Sequence, residues 1–290
     1  MQAGTGTYAV IVADDFGRSS SVNRAVEEAH EKGVVTAASI MAGGKRFLEA
    51  AAAARRMKRL SVGLHLTLAD GRAVLPPGEI PGLVDSRGYF EPRAWRAWLR
   101  CSRPGLSGQI EKEIAAQFER LEAAGIRPTH VDGHHHLHMH PRVFPMLCAQ
   151  AARFGARWVR IPREPLSQPL QSAGRGPATI AEWIVFRMLG RLHGAAARRQ
   201  GLRTSDQVFG LARTGRMDEA GLMKILGRDL QGMVEIFMHP DSVSPAGMRE
   251  LAALIAPAVR SRINAAGITL AGYRELDDGL AGGAEGAPVA

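Results

Sequence analysis

Along the chain, short apolar runs alternate with segments whose apolar residues recur at helical spacing. Tyr8 to Ala13 is a continuous, β-branched run of the kind buried in a parallel sheet, and it stops at Asp14-Asp15-Phe16-Gly17. Ser19, Ser20 and Ser21 then offer helix N-caps; Val22, Ala25, Val26 and Ala29 follow at helical spacing, and Gly33 supplies a stop. The same logic predicts strands over Val34 to Met41, Leu60 to Leu68, the start of 129–141, Arg157 to Ile161, Gln207 to Gly210, Val234 to Met238 and Gly267 to Leu270. Helices are predicted over Phe47 to Met57, from a Ser107 cap to Gly125, from Pro141 to Gly155, over Ile180 to Gln200, and at 218–227 and 247–264.

Two stretches break the rhythm. Residues 69–104 carry Gly71, Pro76, Pro77, Gly78, Pro81 and Gly82, then Tyr89, Phe90, Trp95 and Trp98. They read as a long loop or small subdomain with its own apolar contacts, and such loops are usually functional. Pro162 to Pro177 is the second irregular section. A strand followed by a helix, repeated about eight times, argues a parallel sheet. The count favours an irregular (β/α) barrel with long inserted loops over an open doubly wound sheet. Residues 1–278 form one domain on this reading, and 279–290, rich in Gly and Ala, form a disordered tail.

Composition narrows this little. The chain has 290 residues, 46% of them hydrophobic, enough for a sizeable core. No run approaches the ~20 apolar residues of a membrane span, and Met1 to Thr7 does not resemble a signal peptide, so a cytoplasmic protein is expected. Cys101 and Cys148 suggest free thiols rather than a disulfide framework. The net charge of +9 permits contact with anionic lipid or nucleic acid, but no zinc-finger, helix-turn-helix or RNA-binding signature accompanies it, and nucleic acid is not expected as a partner. A homo-oligomer is left open.

The chemistry concentrates in 129–141, which holds six of the ten histidines: His130, His134, His135, His136, His138 and His140. On a strand, His130, Asp132 and His134 share one face. Two imidazoles and a carboxylate suit a divalent metal or a proton-transfer site, and a solvated histidine-rich loop is the alternative. Asp14 and Asp15 follow a buried strand, where a carboxylate should be paired, metal-bound or protonated, or should cap the next helix. His65 sits in an apolar strand, either as a ligand or as a hydrogen-bonded core residue. His239 ends the strand Val234 to Met238, as a general acid or a structural histidine. Arg160 and Arg163 could orient a carboxylate or bind an anion, an ordinary surface ion pair being the alternative. No G-x-S-x-G elbow, P-loop or dinucleotide fingerprint stands at a strand–helix junction.

Ala13-Asp14-Asp15-Phe16-Gly17, Gly63-Leu64-His65-Leu66, His130-Val131-Asp132-Gly133-His134 and His239-Pro240 together resemble the YdjC-like carbohydrate deacetylase family. Val62-Gly63-Leu64-His65-Leu66 with Asp70-Gly71-Arg72 and Val74-Leu75-Pro76-Pro77, and Gly201-Leu202-Arg203-Thr204-Ser205-Asp206 with Val208-Phe209-Gly210-Leu211-Ala212, resemble its hopanoid-associated HpnK branch. The resemblance implies an irregular (β/α) barrel that removes an N-acetyl group from an amino sugar. It implies Asp15, His65 and His134 as ligands of one divalent metal, Asp14 as the base and His239 as the acid. His134 and His136 remain alternatives for the third ligand. Mg²⁺ fits the family habit, and Zn²⁺ fits histidine ligands better. His130 and Asp132 are then orienting residues, and His136 lines the pocket. A backbone N–H near the Asp14–Gly17 turn is expected to help hold the oxyanion. The implied substrate is N-acetylglucosaminyl bacteriohopanetetrol, a glycosylated hopanoid. Soluble chito-oligosaccharides are the alternative substrate, and a non-catalytic metal-dependent sugar-binding protein is the alternative class. A lipid substrate needs an apolar approach, expected from 69–104 and 162–204. Within the latter, Trp183, Ile184, Val185, Phe186, Met188, Leu189 and Leu192 lie among arginines and could rest peripherally on the inner face of a membrane, or pack on the barrel.

Overall fold

A computed structural model describes residues 6–165 and 177–282, with side chains placed for 6–165 and 184–278. Its centre is β1, Thr7–Phe16, buried from Ala9 onward. Along one edge β1 pairs in parallel with β7, Met233–Met238. Its other edge is shared. The first half pairs with β8, Ile268–Leu270, and the second half with β2, Ala37–Ile40. Beyond β2 come β3 (Ser61–Leu66), β4 (His130–Gly133) and β5 (Trp158–Val159), and beyond β7 comes β6 (Gln207–Phe209), all parallel. Among the described residues, the two ends of this curled sheet are joined by isolated bridges, Trp158 to Arg203 and Arg163 to Val208. The result is the irregular barrel that the alternation of strands and helices predicts.

Several elements are shorter than their apolar runs. The strand expected over Val34 to Met41 is confined to Ala37–Ile40, and that over Arg157 to Ile161 to Trp158–Val159. An apolar run marks burial, whereas a strand needs a ladder partner at each residue. Helix α1, Ser20–Glu31, is capped as its sequence suggests, with Ser19 Oγ accepting from Val22 N at 3.2 Å. Helices α2 (Phe47–Arg56), α3 (Ala94–Cys101) and α4 (Ser107–Ala123) follow. Ser107 is the first residue of α4 rather than its cap; Leu106 takes the cap position without a side-chain hydrogen bond. Helix α5 is Val143–Arg153, so Pro141 lies before it. After α6 (Pro177–Arg199) and α7 (Glu219–Leu226), the helix expected at 247–264 is two, α8 (Pro245–Ile255) and α9 (Pro257–Ala265). Pro257 has no N–H to continue the ladder, and it holds Ala256 extended at φ −64°, ψ 126°.

The insert between β3 and α4 is not a separate subdomain. Short bridges join Arg72 to Tyr89 and Val84 to Phe90. Ile80, Leu83, Val84, Phe90 and Ala97 belong to the same core as the strands. Glu113 of α4 fastens it further, accepting from Val74 N at 2.9 Å and Leu75 N at 3.0 Å. Trp95 and Leu99 on α3, and Ile184, Met188 and Leu192 on α6, face outward. No described helix is long and apolar enough to cross a membrane. The last helix, α10, is Tyr273–Gly282. Of the expectations above, most of the irregular section after Pro162, the side chain of Trp183, and 283–290 of the tail lie outside the described residues.

Candidate active site

Parallel strands deliver their carboxyl ends to one face, and there the candidate residues meet. The β1–β2 register slips between Ala13 and Phe16, and Asp15 adopts a left-handed φ of 65°. On a regular strand, neighbouring side chains point to opposite faces. This irregularity brings Asp14 and Asp15 to adjoining parts of one site. A second distortion follows β4. His134–Met139 coil into a tight helical segment in which His135 and His136 have φ of 52° and 54°. Gly133 permits that coil, because a Cβ there would stand 2.9 Å from the Cβ of His138.

Asp15 Oδ1 lies 2.8 Å from His134 Nδ1 and 3.3 Å from His65 Nε2. One ligating atom from each of the three residues falls within 4.8 Å of the others, and all three residues are buried. Asp15 Oδ1, His65 Nε2 and His134 Nε2 are buried without an aligned hydrogen-bond partner. Unsatisfied polar atoms are costly in a protein interior. The meeting of these three residues, one carboxylate and two imidazoles, fits a divalent cation with positions left open. Burial alone would raise the Asp15 carboxyl, but His134 and His65 hold it well below the usual range. Burial opposes charge on His65 too, yet Asp132 and Asp15 push it up to about 10. Two other clusters are less suited. In the cluster of Asp14, His65 and Asp132 both carboxylates are already bound to the Arg160 guanidinium, and Asp70, His134 and His135 lie at a rim where Asp70 is held by Arg18.

Around this cluster the remaining residues have distinct positions. Asp132 Oδ1 accepts from His65 Nδ1 at 2.7 Å, turning Nε2 toward Asp15. Ser39 Oγ donates to Asp132 Oδ2 at 2.6 Å and lies 3.0 Å from His130 Nε2. His130 thus supports Asp132 from behind. His136 is away from the cluster, its ring 5.4 Å from Phe186 and 5.3 Å from Phe237, so His134 is the one brought to Asp15 and His65. Arg160 is no surface residue. It is buried beneath Phe237, grips Asp14 through two hydrogen bonds of 2.6 and 2.9 Å, reaches Asp132 at 2.8 Å, and donates through Nε to Glu235. His239 is a quarter exposed, with Nε2 3.8 Å from Asp14 Oδ2.

Several participants had no sequence signal. Glu235, a single charge inside the apolar run of β7, was the one visible hint. Glu250 on α8 accepts the backbone N–H of His239 and lies 4.0 Å from its Nδ1. Asp70 has a left-handed φ of 45° and touches Arg18 at 3.1 Å and His134 at 3.6 Å. Two amides of the turn after β1, where an oxyanion donor is expected, are already engaged. Gly17 N donates to Asn23 Oδ1 at 2.8 Å, and Arg18 N to Asp15 O at 3.0 Å.

Known proteins resemble this chain over much of its length. The family model described as YdjC-like protein matches residues 8–265. A carbohydrate deacetylase of Geobacillus stearothermophilus is 41% identical over 159 residues, 55% of this chain and 60% of that protein. The chain therefore matches less than two thirds of that relative's length. A chitooligosaccharide deacetylase of Serratia marcescens is 30% identical over 278 residues, 92% of this chain and 98% of that one. Among solved structures, an Enterococcus faecalis protein assigned to cellobiose-phosphate cleavage superposes with a TM-score of 0.73 at 24% identity, covering 94% of this chain and 99% of that one. Fold, ordered motifs and near full-length similarity coincide, and the chain belongs to the YdjC-like protein family.

Proposed function

We propose that this protein is a metal-dependent deacetylase that removes the N-acetyl group from an amino sugar. The observation that carries the reading is the placing of Asp14 and His239, one clamped and one solvent-accessible, beside the unpartnered atoms of Asp15, His65 and His134. A divalent ion held by Asp15, His65 and His134 would polarise an acetyl carbonyl and acidify water. Asp14, aimed by Arg160, takes the proton of the attacking water. His239, whose Nε2 lies 3.8 Å from Asp14 Oδ2, gives a proton to the departing sugar nitrogen, which is a poor leaving group without one. A protein that only bound sugar would need neither a base nor an acid.

The finer reading is N-acetylglucosaminyl bacteriohopanetetrol as substrate, supported by the resemblance of Val62–Leu66, Asp70–Arg72 and Gly201–Asp206 to the HpnK branch. Apolar side chains exposed on α3 and α6, with Arg187, Arg191, Arg198 and Arg199 beside those of α6, support peripheral contact with a lipid surface. Soluble chito-oligosaccharides are the second reading, favoured by the names of the relatives. Acetate release from chitobiose and from a glycosylated hopanoid, before and after chelation and with Mg²⁺ or Zn²⁺ restored, tests all of these together. Release that chelation stops and one metal restores is expected. Release indifferent to chelation removes the metal, and no release from any N-acetylated sugar removes the deacetylase.

A further inference from the structure

A groove of about 520 Å³ opens from the rim of the candidate site. It shares Arg18 and Asp70 with that rim: Arg18 bonds Asp15 at 3.0 Å and Asp70 at 3.1 Å. Its walls come from the turn after β2 (Gly43, Gly44, Lys45) and from the insert (Arg72, Tyr89, Phe90). A second cavity of about 490 Å³ shares Gly43, Gly44, Lys45, Arg72 and Tyr89, and carries the groove on to Arg120 of α4. The floor is preformed. A Cβ on Gly43 would overlap the Arg72 carbonyl, and one on Gly44 would overlap the carbonyl of Gly17, so the turn is wedged between the insert and the end of β1.

The lining chemistry selects an occupant. Among the described residues, Lys45 and Arg72 make no side-chain hydrogen bond or ion pair. Ammonium and guanidinium groups donate and never accept. They call for an acceptor-rich ligand, and a hydrocarbon skeleton would strip them of water and return nothing. Tyr89 lines the same groove, is 38% exposed and donates its backbone N–H to Asp85 at 2.9 Å; its ring is the kind of flat face that a sugar ring can lie against. We infer that this groove is a saccharide subsite. It receives sugar residues attached to the one being deacetylated, with Tyr89 as platform and with Arg72 and Lys45 donating hydrogen bonds to sugar hydroxyl oxygens. The inference rests on the deacetylase reading and deepens it: the polar groove takes the glycan, so any lipid portion of a substrate must leave the site on another side.

The test compares N-acetylglucosamine, chitobiose and chitotriose in acetate release, and measures chitotriose binding directly by calorimetry. The wild type should gain at least about tenfold in kcat/KM with the added rings, the effect of roughly one well-placed contact. In Tyr89→Ala and in Arg72→Gln that gain should shrink toward unity, chiefly through KM. A wild type indifferent to chain length, or variants that keep the full gain, would overturn the subsite. If no sugar releases acetate, the deacetylase reading fails separately, and calorimetry still decides the groove: chitotriose binding weakened by either variant supports it, and absent or unaltered binding overturns it.

Discussion

At the scale of single residues, adjacency in sequence separates rather than unites roles. Asp14 and Asp15 share a strand end, yet Asp14 is gripped by Arg160 and Asp15 faces two imidazoles. Asp14→Asn should therefore keep its bound metal while turnover falls at least ~100-fold, the usual worth of a general base. Metal analysis beside acetate-release kinetics checks this, and near-normal turnover would refute the assignment. Asp132 acts at one remove, through His65 Nδ1. Asp132→Asn should weaken metal affinity by ~10–100-fold, the range for a partner that orients a ligand. Competition with a chelating dye reads that loss directly.

At the scale of elements, the insert belongs to the barrel because α4 holds it. The Glu113 carboxylate takes the N–H groups of Val74 and Leu75, and Gln117 exchanges two hydrogen bonds with the backbone of Thr67, at 3.0 and 2.8 Å. Glu113→Ala would strand two N–H groups, at a cost of about 1–3 kcal/mol. The expected result is faster amide hydrogen exchange at Val74 and Leu75 with strand amides unchanged. Uniform acceleration would mean global loosening instead.

At the scale of the whole molecule, Arg160 ties three strands together. Its partners Asp14, Asp132 and Glu235 come from β1, β4 and β7, so one cation binds carboxylates brought together from far along the chain. Arg160→Gln removes the cation these buried carboxylates share and should cost ~3–5 kcal/mol in urea unfolding, or prevent folding. The buried histidines set a pH limit. His130 and His138 are each pushed down to about 3, first by burial. The unfolded chain binds protons near the ordinary value of 6.5 while the folded protein does not. The contribution of these two histidines is thus complete above that pH and falls toward about 3, by ~1.4 kcal/mol per pH unit for each group. His65, pushed up to about 10, is protonated in both states below 6.5 and leaves this window unaffected. Urea unfolding near neutral pH and about two units lower should show the loss, and His138→Gln should make it shallower by ~1.4 kcal/mol per pH unit.

Local pattern was enough to place the strands and the face that carries the chemistry, and the family resemblance pointed to Asp15, His65 and His134 at its centre. Burial periodicity is written residue by residue, and parallel strands place their ends together wherever they fall in the chain. The tertiary structure decided what depends on partners remote in sequence. It turned Asp15 beside Asp14 through the register slip against β2, and removed the Gly17 and Arg18 amides from oxyanion service. It buried Arg160 among three carboxylates, drew in Glu235 and Glu250, and merged the insert with the core. A side chain's period shows whether it is buried; which charge waits for it there follows from the order in which the strands are assembled.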